Sequence, residues 1–478
     1  MNNLPYNHLE KSSIISFAKE FIGKSIQSEF GEEIDSLNLS NKDKGQLGKV
    51  IEELYFKYKP NSDSNADFKE AGLELKSSGL KKLKKSKEYR AKERLVLSII
   101  NYVELLDLTF EELFVDGKNS HLLLIFYLYE KGINQLASEI KLVGDWKYPP
   151  EDIPILKNDW EIIFNKVKSG LAHELSEGDT LYLGACTKGG KGGNARHQPN
   201  STIKAKQRAY SLKPGYLNHI IANIAQEESA VYGKIIKRPE TLEKIQSFEN
   251  VVISMIEPYY GILDTEIETK LKIELKRSYQ YYPSLLKAIL GVNINQKIEE
   301  FEKADIQIKA IRVEENNSIE QSVSFPAFKF EQIYEENWRE SELKDLIEKK
   351  FLFVFFKKNK GEYFLDKAQF WNMPFNDRNE VRRVWLNTKK QIQNGTIFKD
   401  YAYDKKGVIR YSKKGNPIRK NNLPKLKDSN VCHVRPHGTD STYTYPLPVE
   451  DKKLKTMEYS KQCFWFNAIY VRDEIYLK

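Results

Sequence analysis

The chain has 478 residues, a length typical of two or three domains rather than of one ordinary core. Hydrophobic residues make up 40% of it and aromatic residues 12%, which excludes a globally disordered protein. The 76 basic and 67 acidic residues leave a net charge of +9. This charge favours a polyanionic partner, although a basic surface that serves only solubility explains it equally well.

The cysteines and the hydropathy pattern indicate a soluble protein. The three cysteines are far apart, with no CxxC pair or histidine cluster beside them, so neither a disulfide framework nor a structural zinc site is expected. The N-terminus lacks a basic segment followed by an apolar one, so no signal peptide is expected. No run approaches 18 apolar residues, so no membrane partner is expected either. A cytoplasmic location is the expectation.

Hydrophobic periodicity predicts a series of elements in the first half of the chain. Residues 40–58 carry apolar side chains at helical spacing, and Pro60 ends this helix. The strands are predicted in chain order at 72–76, 94–102, 121–129, 181–185 and 209–212, with a helix near 159–170. Residues 226–285, which are rich in Glu, Lys and Ile, are expected to form a helical connector.

The second half of the chain repeats the first. Six features of the first half recur in the same order in the second half. The matching pairs are 74–76 with 307–309, 94–102 with 322–330, 121–129 with 351–356, the Trp160–Gly170 spacing with Trp385–Gly395, 181–189 with 431–438, and 206–212 with 461–467. Such an ordered series is typical of a tandem duplication.

A carboxylate–lysine pattern carries the clearest chemistry. Asp67, Glu74 and Lys76 form D-x6-E-x-K, and alternate residues of a strand place Glu74 and Lys76 on one face. Two carboxylates can hold Mg²⁺, which polarises a phosphate and lowers the pKa of an attacking water. Lys76 would stabilise negative charge or orient that water, and Glu52 on the preceding helix is a fourth candidate.

A single E-x-K is a weak signal in a chain that is 30% charged. The pattern recurs at Glu139, Glu268, Glu274, Glu342, Glu348 and Glu450, and a solvated charged pair is the simpler interpretation of any one copy. Glu74 differs because it lies in a short amphipathic strand, with Asp67 at the strand entrance and a helix before it.

These residues resemble the MutH family, which includes a mismatch-repair nicking endonuclease and type II restriction endonucleases that cut GATC. DFKEAGLELK (67–76) is similar to the metal-binding motif of the family, and GKVIEELYF (48–56) to its helix with a catalytic Glu. The resemblance therefore implies catalytic roles for Asp67, Glu74, Lys76 and Glu52, with Asp67 and Glu74 as Mg²⁺ ligands. A further family lysine corresponds loosely to Lys118.

Two segments resemble the DNA-reading parts of the family. LYLGACTKGG (181–190) is similar to the loop that reads base edges, which implies DNA contacts at Lys188 and Gly189. Cys186 and Thr187 stand where the family has Arg and Pro. SLKPGYLNHII (211–221) is similar to a segment whose tyrosine lies near the target adenine, which would be Tyr216.

The second copy departs from the metal motif. Glu300 and Lys309 stand at the Asp67 and Lys76 positions, but Gln307 replaces Glu74, and a neutral amide is a weak Mg²⁺ ligand. This copy is expected to be catalytically inactive. Its reading loop keeps the family pattern in the run Arg435, Pro436, His437 and Gly438. A DNA-binding or allosteric role through Arg435 and His437 is therefore predicted.

The resemblance covers most of 35–225 and recurs more weakly over 285–478. It implies a mixed α/β fold of tandem restriction-endonuclease-like domains, each a central mixed sheet flanked by helices. The expected parts are a catalytic domain at 1–230, a helical connector at 231–284 and a degenerate DNA-binding domain at 285–478.

The expected function is Mg²⁺-dependent double-strand cleavage at GATC that leaves 5′-phosphate ends, in restriction–modification. The alternatives are a partner-activated nicking enzyme and a non-catalytic, methylation-sensing DNA-binding protein. Double-stranded DNA is the expected partner, bound by a monomer that could dimerise or loop two sites together. The basic runs 81–94 and 186–197 are further candidates for DNA contact. The second run lacks G-x-x-x-x-G-K-[ST], so no nucleotide cofactor is expected.

Overall fold

The computed structural model describes residues 4–36, 46–58, 65–83, 88–130, 132–188, 195–226, 232–237, 247–412, 414–437 and 442–478. The chain forms two units, Met1–Met255 with Ser284–Gln307, and Ile256–Pro283 with Ile308–Lys478. Residues 285–307, which the sequence analysis placed at the start of the second domain, therefore belong with the first unit. The residues 40–45 of the first predicted helix lie outside the described ranges.

The main sheet of the first unit carries the D-x6-E-x-K segment. Its strands are β1 (Glu74–Lys82), β2 (Tyr89–Ala91), β4 (His121–Leu128) and β5 (Ile140–Lys147), in the order β2-β1-β4-β5. β1 and β4 pair in parallel and the other neighbours antiparallel, so the sheet is mixed, as expected. β4 is buried in seven of its eight residues, as its continuous apolar run requires.

A second, antiparallel sheet leads to Lys188, which directly follows one of its strands. It consists of β3 (Leu95–Ile100), β6 (Leu183–Thr187) and β9 (Arg208–Leu212), with β9 in the centre. The remaining strands of the unit are β7 (Ala195–Gln198), β8 (Ser201–Lys206), β10 (Tyr232–Gly233) and β11 (Lys297–Ile298).

Helices cover these sheets. In the described part of the first unit they are Lys11–Lys19, Ile26–Ser36, Gln46–Val50, Phe110–Phe114, Ile153–Lys168, Pro214–Ala225 and Glu299–Ala304. Helices Phe248–Ile256 and Tyr281–Ile289 span the borders of the units along the chain, and residues 238–246 of the predicted connector lie outside the described ranges. Stacked aromatic rings, among them Phe17 and Phe21 on Tyr55, pack the N-terminal helices against the segment that carries Glu52.

The second unit repeats this plan. β12 (Gln307–Val313), β14 (Phe351–Asn359) and β15 (Glu362–Trp371) form one sheet in the order β12-β14-β15, which matches β1-β4-β5. β13 (Val323–Phe328), β18 (Cys432–Pro436) and β21 (Gln462–Phe466) form the other, in the order β13-β21-β18, which matches β3-β9-β6. The two units therefore share the strand order that a tandem duplication predicts.

The helix of each copy ends in the same way. Trp160 in Ile153–Lys168 and Trp385 in Phe375–Gln393 are buried, and each helix is followed by a left-handed glycine, Gly170 at φ 72° and Gly395 at φ 60°. A Cβ at Gly395 would lie 2.4 Å from the carbonyl oxygen of Glu450, so a side chain is excluded there.

The other elements of the second unit are short. The remaining strands are β16 (Phe398–Tyr401), β17 (Arg419–Asn421), β19 (Thr444–Pro446) and β20 (Glu458–Ser460). The remaining helices are Asp264–Leu271, Phe330–Glu335, Glu342–Ile347 and Ala468–Tyr470. None of the helices in the described ranges is both long and apolar enough to cross a lipid bilayer.

Buried charge explains why residues 284–307 join the first unit. Nζ of Lys303 lies 3.0 Å from Oδ2 of Asp152 and 2.9 Å from Oε1 of Glu299. Helix Glu299–Ala304 also approaches Gly215 so closely that a Cβ there would lie 2.1 Å from the carbonyl oxygen of Glu302. Breaking such a buried pair costs about 3–5 kcal/mol, so this segment is firmly held.

Candidate active site

A tight turn brings Asp67 beside Glu74. Phe68 and Leu73 form an antiparallel bridge, and Gly72 takes a left-handed conformation at φ 58° to reverse the chain between them. Leu73 and Leu75 are buried in the core beneath the turn. The residues on either side of the bridge, Asp67 and Glu74, are therefore neighbours.

Hydrogen bonds fix this carboxylate pair. The N–H of Asp67 donates to Oε2 of Glu74 at 3.2 Å, and the N–H of Leu75 donates to Oδ2 of Asp67 at 2.8 Å. Nζ of Lys76 donates to Oε1 of Glu74, from which Nζ of Lys118 is 3.8 Å away. Glu74 is only 2% exposed, so the two ammonium groups compensate a buried charge. The structure thus brings Lys118 to the three residues of the motif.

Glu52 faces the same cluster. It lies in a wide helical turn, Ile51–Tyr55, that continues helix Gln46–Val50, and Gly48 lets this helix approach β1. A Cβ at Gly48 would lie 3.3 Å from Oγ of Ser77. Burial raises the pKa of Glu52 to about 7, and the negative charge of Asp67 adds to this rise while the positive charge of Lys76 opposes it.

Burial and the adjacent charge of Glu74 also raise the pKa of Asp67, to about 6. Lys76, the N–H of Leu75 and Lys118 limit this rise. Three carboxyl groups of one small site therefore repel one another, and a bound cation would relieve the repulsion.

Tyr58 is a site residue that the sequence analysis counted only as part of an apolar helix face. Its hydroxyl is buried without a hydrogen-bond partner in the described part of the chain. Burial, then the charges of Asp67, Glu52 and Glu74, raise its pKa above the usual range. Its place in the apolar stripe just before Pro60 was the one available signal, and that signal did not distinguish a core residue from a site residue.

The donor set suits Mg²⁺ better than a metal that needs several protein ligands. Within the described ranges no three His, Cys, Asp or Glu side chains form a ready metal-binding group. Asp67 and Glu74 offer hard carboxylate oxygens, and Mg²⁺ is typically held by one or two carboxylates together with waters and substrate phosphate oxygens. The residues present therefore fit this ion.

The reading strands of the two units correspond residue by residue. The N–H of Lys188 donates to the carbonyl of Gln207 at 2.8 Å, and the N–H of His437 donates to that of Lys461 at 2.9 Å. The register of β6 on β9 and of β18 on β21 then equates Cys186 with Arg435 and Thr187 with Pro436. This is the correspondence that the sequence predicted for 181–189 and 431–438. On the partner strands the prediction was wrong by one residue, because the register equates Gln207, and not Lys206, with Lys461. Gly189 and Gly438, the next pair, lie outside the described residues.

The second unit exposes the more basic reading edge. Arg435 and His437 are exposed, whereas Cys186 is buried. The guanidinium of Arg435 lies 3.7 Å from the ring centroid of Trp465, which holds the side chain in a defined position. Nζ of Lys461 lies 4.5 Å from the ring centroid of Tyr445 on the same edge.

Tyr216 does not lie where the resemblance placed it. Its side chain is fully buried in the first unit, and its hydroxyl donates to Oδ2 of Asp152 at 2.8 Å. The rings of Tyr148 and Tyr182 pack around it. Because a base contact requires an accessible group, the structure assigns Tyr216 to the interior instead.

The second copy also differs from its predicted alignment. Glu300, expected at the Asp67 position, belongs to the first unit, where its carboxylate accepts the N–H groups of Ile235 and Ile236. Gln307 begins β12 as predicted, and burial lowers the pKa of Lys309. Glu300 is occupied as a backbone acceptor, so it supplies no metal ligand to β12.

The basic runs are only partly described. Lys81 and Lys82 at the end of β1 are exposed, as is Arg196 in β7. Residues 84–87 and 189–194 of the two runs lie outside the described ranges.

Comparison with known proteins shows the family of the chain. The family model of the DNA mismatch repair enzyme MutH matches residues 56–159, which include Asp67, Glu74, Lys76 and Lys118. The type II restriction enzyme Sau3AI of Staphylococcus aureus is 35% identical over 501 residues, covering 98% of this chain and 99% of that enzyme. The chain belongs to the MutH family of endonucleases and, within it, to the type II restriction enzymes related to Sau3AI.

Proposed function

We propose that the protein is a Mg²⁺-dependent type II restriction endonuclease that cuts double-stranded DNA at 5′-GATC-3′ and leaves 5′-phosphate ends. The observation that carries this proposal is the pairing of Asp67 with the buried Glu74, with Lys76 and Lys118 at the same carboxylate. The similarity to Sau3AI along almost the whole chain supports a restriction enzyme over other nucleases of the fold.

Each residue of the site has a role in this chemistry. Asp67 and Glu74 would hold Mg²⁺, which when bound polarises the scissile phosphate and lowers the pKa of water. Lys76 and Lys118 stabilise the negative charge that develops on the phosphate. Glu52, with a pKa of about 7, accepts the proton of the attacking water, because a general base works best when its pKa lies near the working pH.

DNA recognition is divided between the two units in this proposal. Lys188 and Gly189 contact bases from the first unit, and Arg435 and His437 from the second, which binds without cutting. Two DNA-binding halves on one chain raise the effective concentration for a second site, so a monomer can loop two sites together.

A plasmid with GATC sites tests the activity. Incubation with Mg²⁺ should give linear fragments whose ends map to GATC, and EDTA or Glu74→Gln should prevent their formation. Nicked circles alone would instead indicate a nicking enzyme. Binding that responds to methylation, without any cleavage, would indicate the non-catalytic alternative.

A further inference from the structure

The second unit carries a basic projection that has no counterpart in the first. Thirty-five residues separate Gly395 from Val431, whereas ten separate Gly170 from Leu181. Much of the difference is a segment at 398–421, here called the forked hairpin. Its residues 399–420 contain eight basic and two acidic residues, so they carry +6 of the net +9 of the whole chain.

The forked hairpin has a two-stranded stem and two tips. β16 and β17 form the stem, with Phe398 opposite Asn421 and Tyr401 opposite Arg419. Beyond the stem, Tyr403 pairs with Ile409 and Tyr411 with Pro417, which closes two short hairpins. The N–H of Arg410 donates to the carbonyl of Ala402 at 2.7 Å and joins the middle segment to the stem.

The two tips have the same construction. The first turn is Asp404-Lys405-Lys406-Gly407 and the second is Ser412-Lys413-Lys414-Gly415. Each glycine has a left-handed conformation, at φ 79°, and donates its N–H to the backbone carbonyl of the first residue of its turn. Such a turn places its central residues at the far end of the hairpin, which are Lys405 and Lys406 in the first tip and include Lys414 in the second. Lys413 itself lies outside the described residues.

The two acidic residues of the forked hairpin form no ion pair with Lys405 or Lys406 among the described residues. The carboxylate of Asp404 accepts the N–H groups of Lys406 and Val408 and so shapes the first turn. At the stem, the carboxylate of Asp400 accepts the N–H of Tyr401, and its Oδ2 lies 3.9 Å from Nζ of Lys453. Among the residues that the structure describes, Lys405, Lys406 and Arg410 make no ion pair, and all three are exposed.

We propose that the forked hairpin binds the phosphate backbone of duplex DNA outside the recognition sequence, and that Lys405, Lys406 and Lys414 make this contact. This proposal rests on the function proposed above. Its chemistry is that of phosphate binding, because a lysine is a flexible point charge that suits phosphate oxygens better than base edges. In the described part of the forked hairpin the exposed large apolar groups are Tyr403, Val408 and Tyr411, and its excess of basic residues favours a polyanion such as DNA.

The root of the forked hairpin supports a DNA partner. Three residues after the stem, the carbonyl of Pro424 accepts the N–H of Val434 at 2.9 Å. Val434 precedes Arg435 on β18, so the projection starts at the strand that bears the proposed base-reading arginine. The forked hairpin would therefore extend the DNA contact of β18 along the duplex and position it rather than add sequence specificity.

Salt-dependent binding of the full-length protein in EDTA tests the proposal. The triple variant Lys405→Gln, Lys406→Gln, Lys414→Gln should reduce the slope of log K against log salt by about 0.9 for each lost phosphate contact, on long duplexes with or without GATC. A duplex of about 10 base pairs, roughly one helical turn, should show no difference from the wild type. Lys406→Gln alone should reduce the slope by about a third as much as the triple variant does.

A charge-matched control uses exposed lysines elsewhere in the second unit, Lys270→Gln, Lys276→Gln and Lys390→Gln, and should leave the slope unchanged. The proposal would be overturned if the two triple variants gave equal slopes of log K against log salt. It would also be overturned if the tip variant lost the same affinity on short duplexes as on long ones. A wild-type protein that binds DNA but does not cut it with Mg²⁺ would overturn the proposed activity alone. A wild-type protein that binds no DNA would overturn both.

Discussion

The N–H of Leu75 donates to Oδ2 of Asp67 at 2.8 Å, so the strand that carries Glu74 also fixes the second carboxylate of the site. This bond leaves the carboxylates of Asp67 and Glu74 side by side in a mostly buried position. The pair can attract a cation without moving, because the geometry is set by the backbone rather than by the ion.

Asp67→Ala or Glu74→Ala should reduce cleavage on the order of 10³-fold or more, because the metal-binding carboxylates are worth several kcal/mol in the transition state. Specific DNA binding should persist, and at low salt it should tighten because a negative charge near phosphates is removed. The control is Glu70→Ala, an exposed acid in the same turn, which should cut normally. Near wild-type cleavage by Glu74→Ala would show that the active site lies elsewhere.

Cleavage should depend on pH through Glu52 and Asp67. Their pKa values of about 7 and about 6 mean that the carboxylates needed for catalysis form as the pH rises through this range. Cleavage rates measured from pH 5 to 9 should rise with pH, and Glu52→Gln should remove most activity. A rate that is flat between pH 5.5 and 7.5 would contradict these assignments.

The same shifts predict the opposite trend for stability without metal. A carboxyl with a raised folded-state pKa favours the folded state below its unfolded pKa, and this contribution is lost as the pH rises through about 6 to 7. Asp67→Asn should therefore raise the thermal midpoint of the metal-free protein at pH 8 but not at pH 4. At pH 8, Mg²⁺ should reduce the difference in thermal midpoint between Asp67→Asn and the wild type, because the ion stabilises only the wild type.

Tyr58→Phe should separate stability from cleavage. Removal of a buried hydroxyl that has no partner in the described residues should leave stability unchanged or raise it, because such a group costs about 1–3 kcal/mol. Loss of a donor beside the carboxylates should slow cleavage about 10-fold, the effect of roughly one hydrogen bond. Tyr148→Phe, which also removes a buried unpartnered hydroxyl, should not slow it. Equal cleavage rates in the two variants would exclude Tyr58 from the site.

Tyr216→Phe should cost stability and spare recognition. The lost hydrogen bond leaves the buried carboxylate of Asp152 with one partner fewer, at a cost of about 1–3 kcal/mol in the free energy of unfolding. Lys188→Ala should behave in the opposite way and weaken discrimination of GATC by roughly 1–3 kcal/mol at unchanged stability. Denaturant unfolding and competition binding on near-cognate duplexes measure the two effects. Relaxed specificity in a stable Tyr216→Phe protein would restore its predicted role at the base.

Arg435→Ala should impair cleavage although every catalytic residue is intact, because it weakens the proposed binding of a second site. Wild-type protein should cut DNA with two sites faster than DNA with one, and the variant should lose this preference. Arg382→Ala, an exposed arginine on helix Phe375–Gln393, is the control. A folded Arg435→Ala protein with unchanged binding and cutting would leave the second unit only a structural role.

The sequence by itself determined the features that depend on local order. Alternating apolar residues marked β1 and its repeat, since a strand has a period of two and one face is buried, whereas continuous apolar runs marked β4 and its repeat β14 as fully buried strands. The spacing of Asp67, Glu74 and Lys76 also sufficed, because a turn and a strand of fixed geometry connect them. The equivalence of Lys188 with His437 followed from the repeat and matches the hydrogen-bond register.

Tertiary structure decided what depends on contacts between distant segments. The buried pair of Lys303 with Asp152 spans 151 residues and assigns helix Glu299–Ala304 to the first unit, although the repeat placed it in the second. Tyr216 is interior because the same cluster covers it, and no local pattern distinguishes a buried tyrosine from one that faces DNA. Tyr58 joined the site for a similar reason, since burial and charge at a position are set by the residues that fold against it.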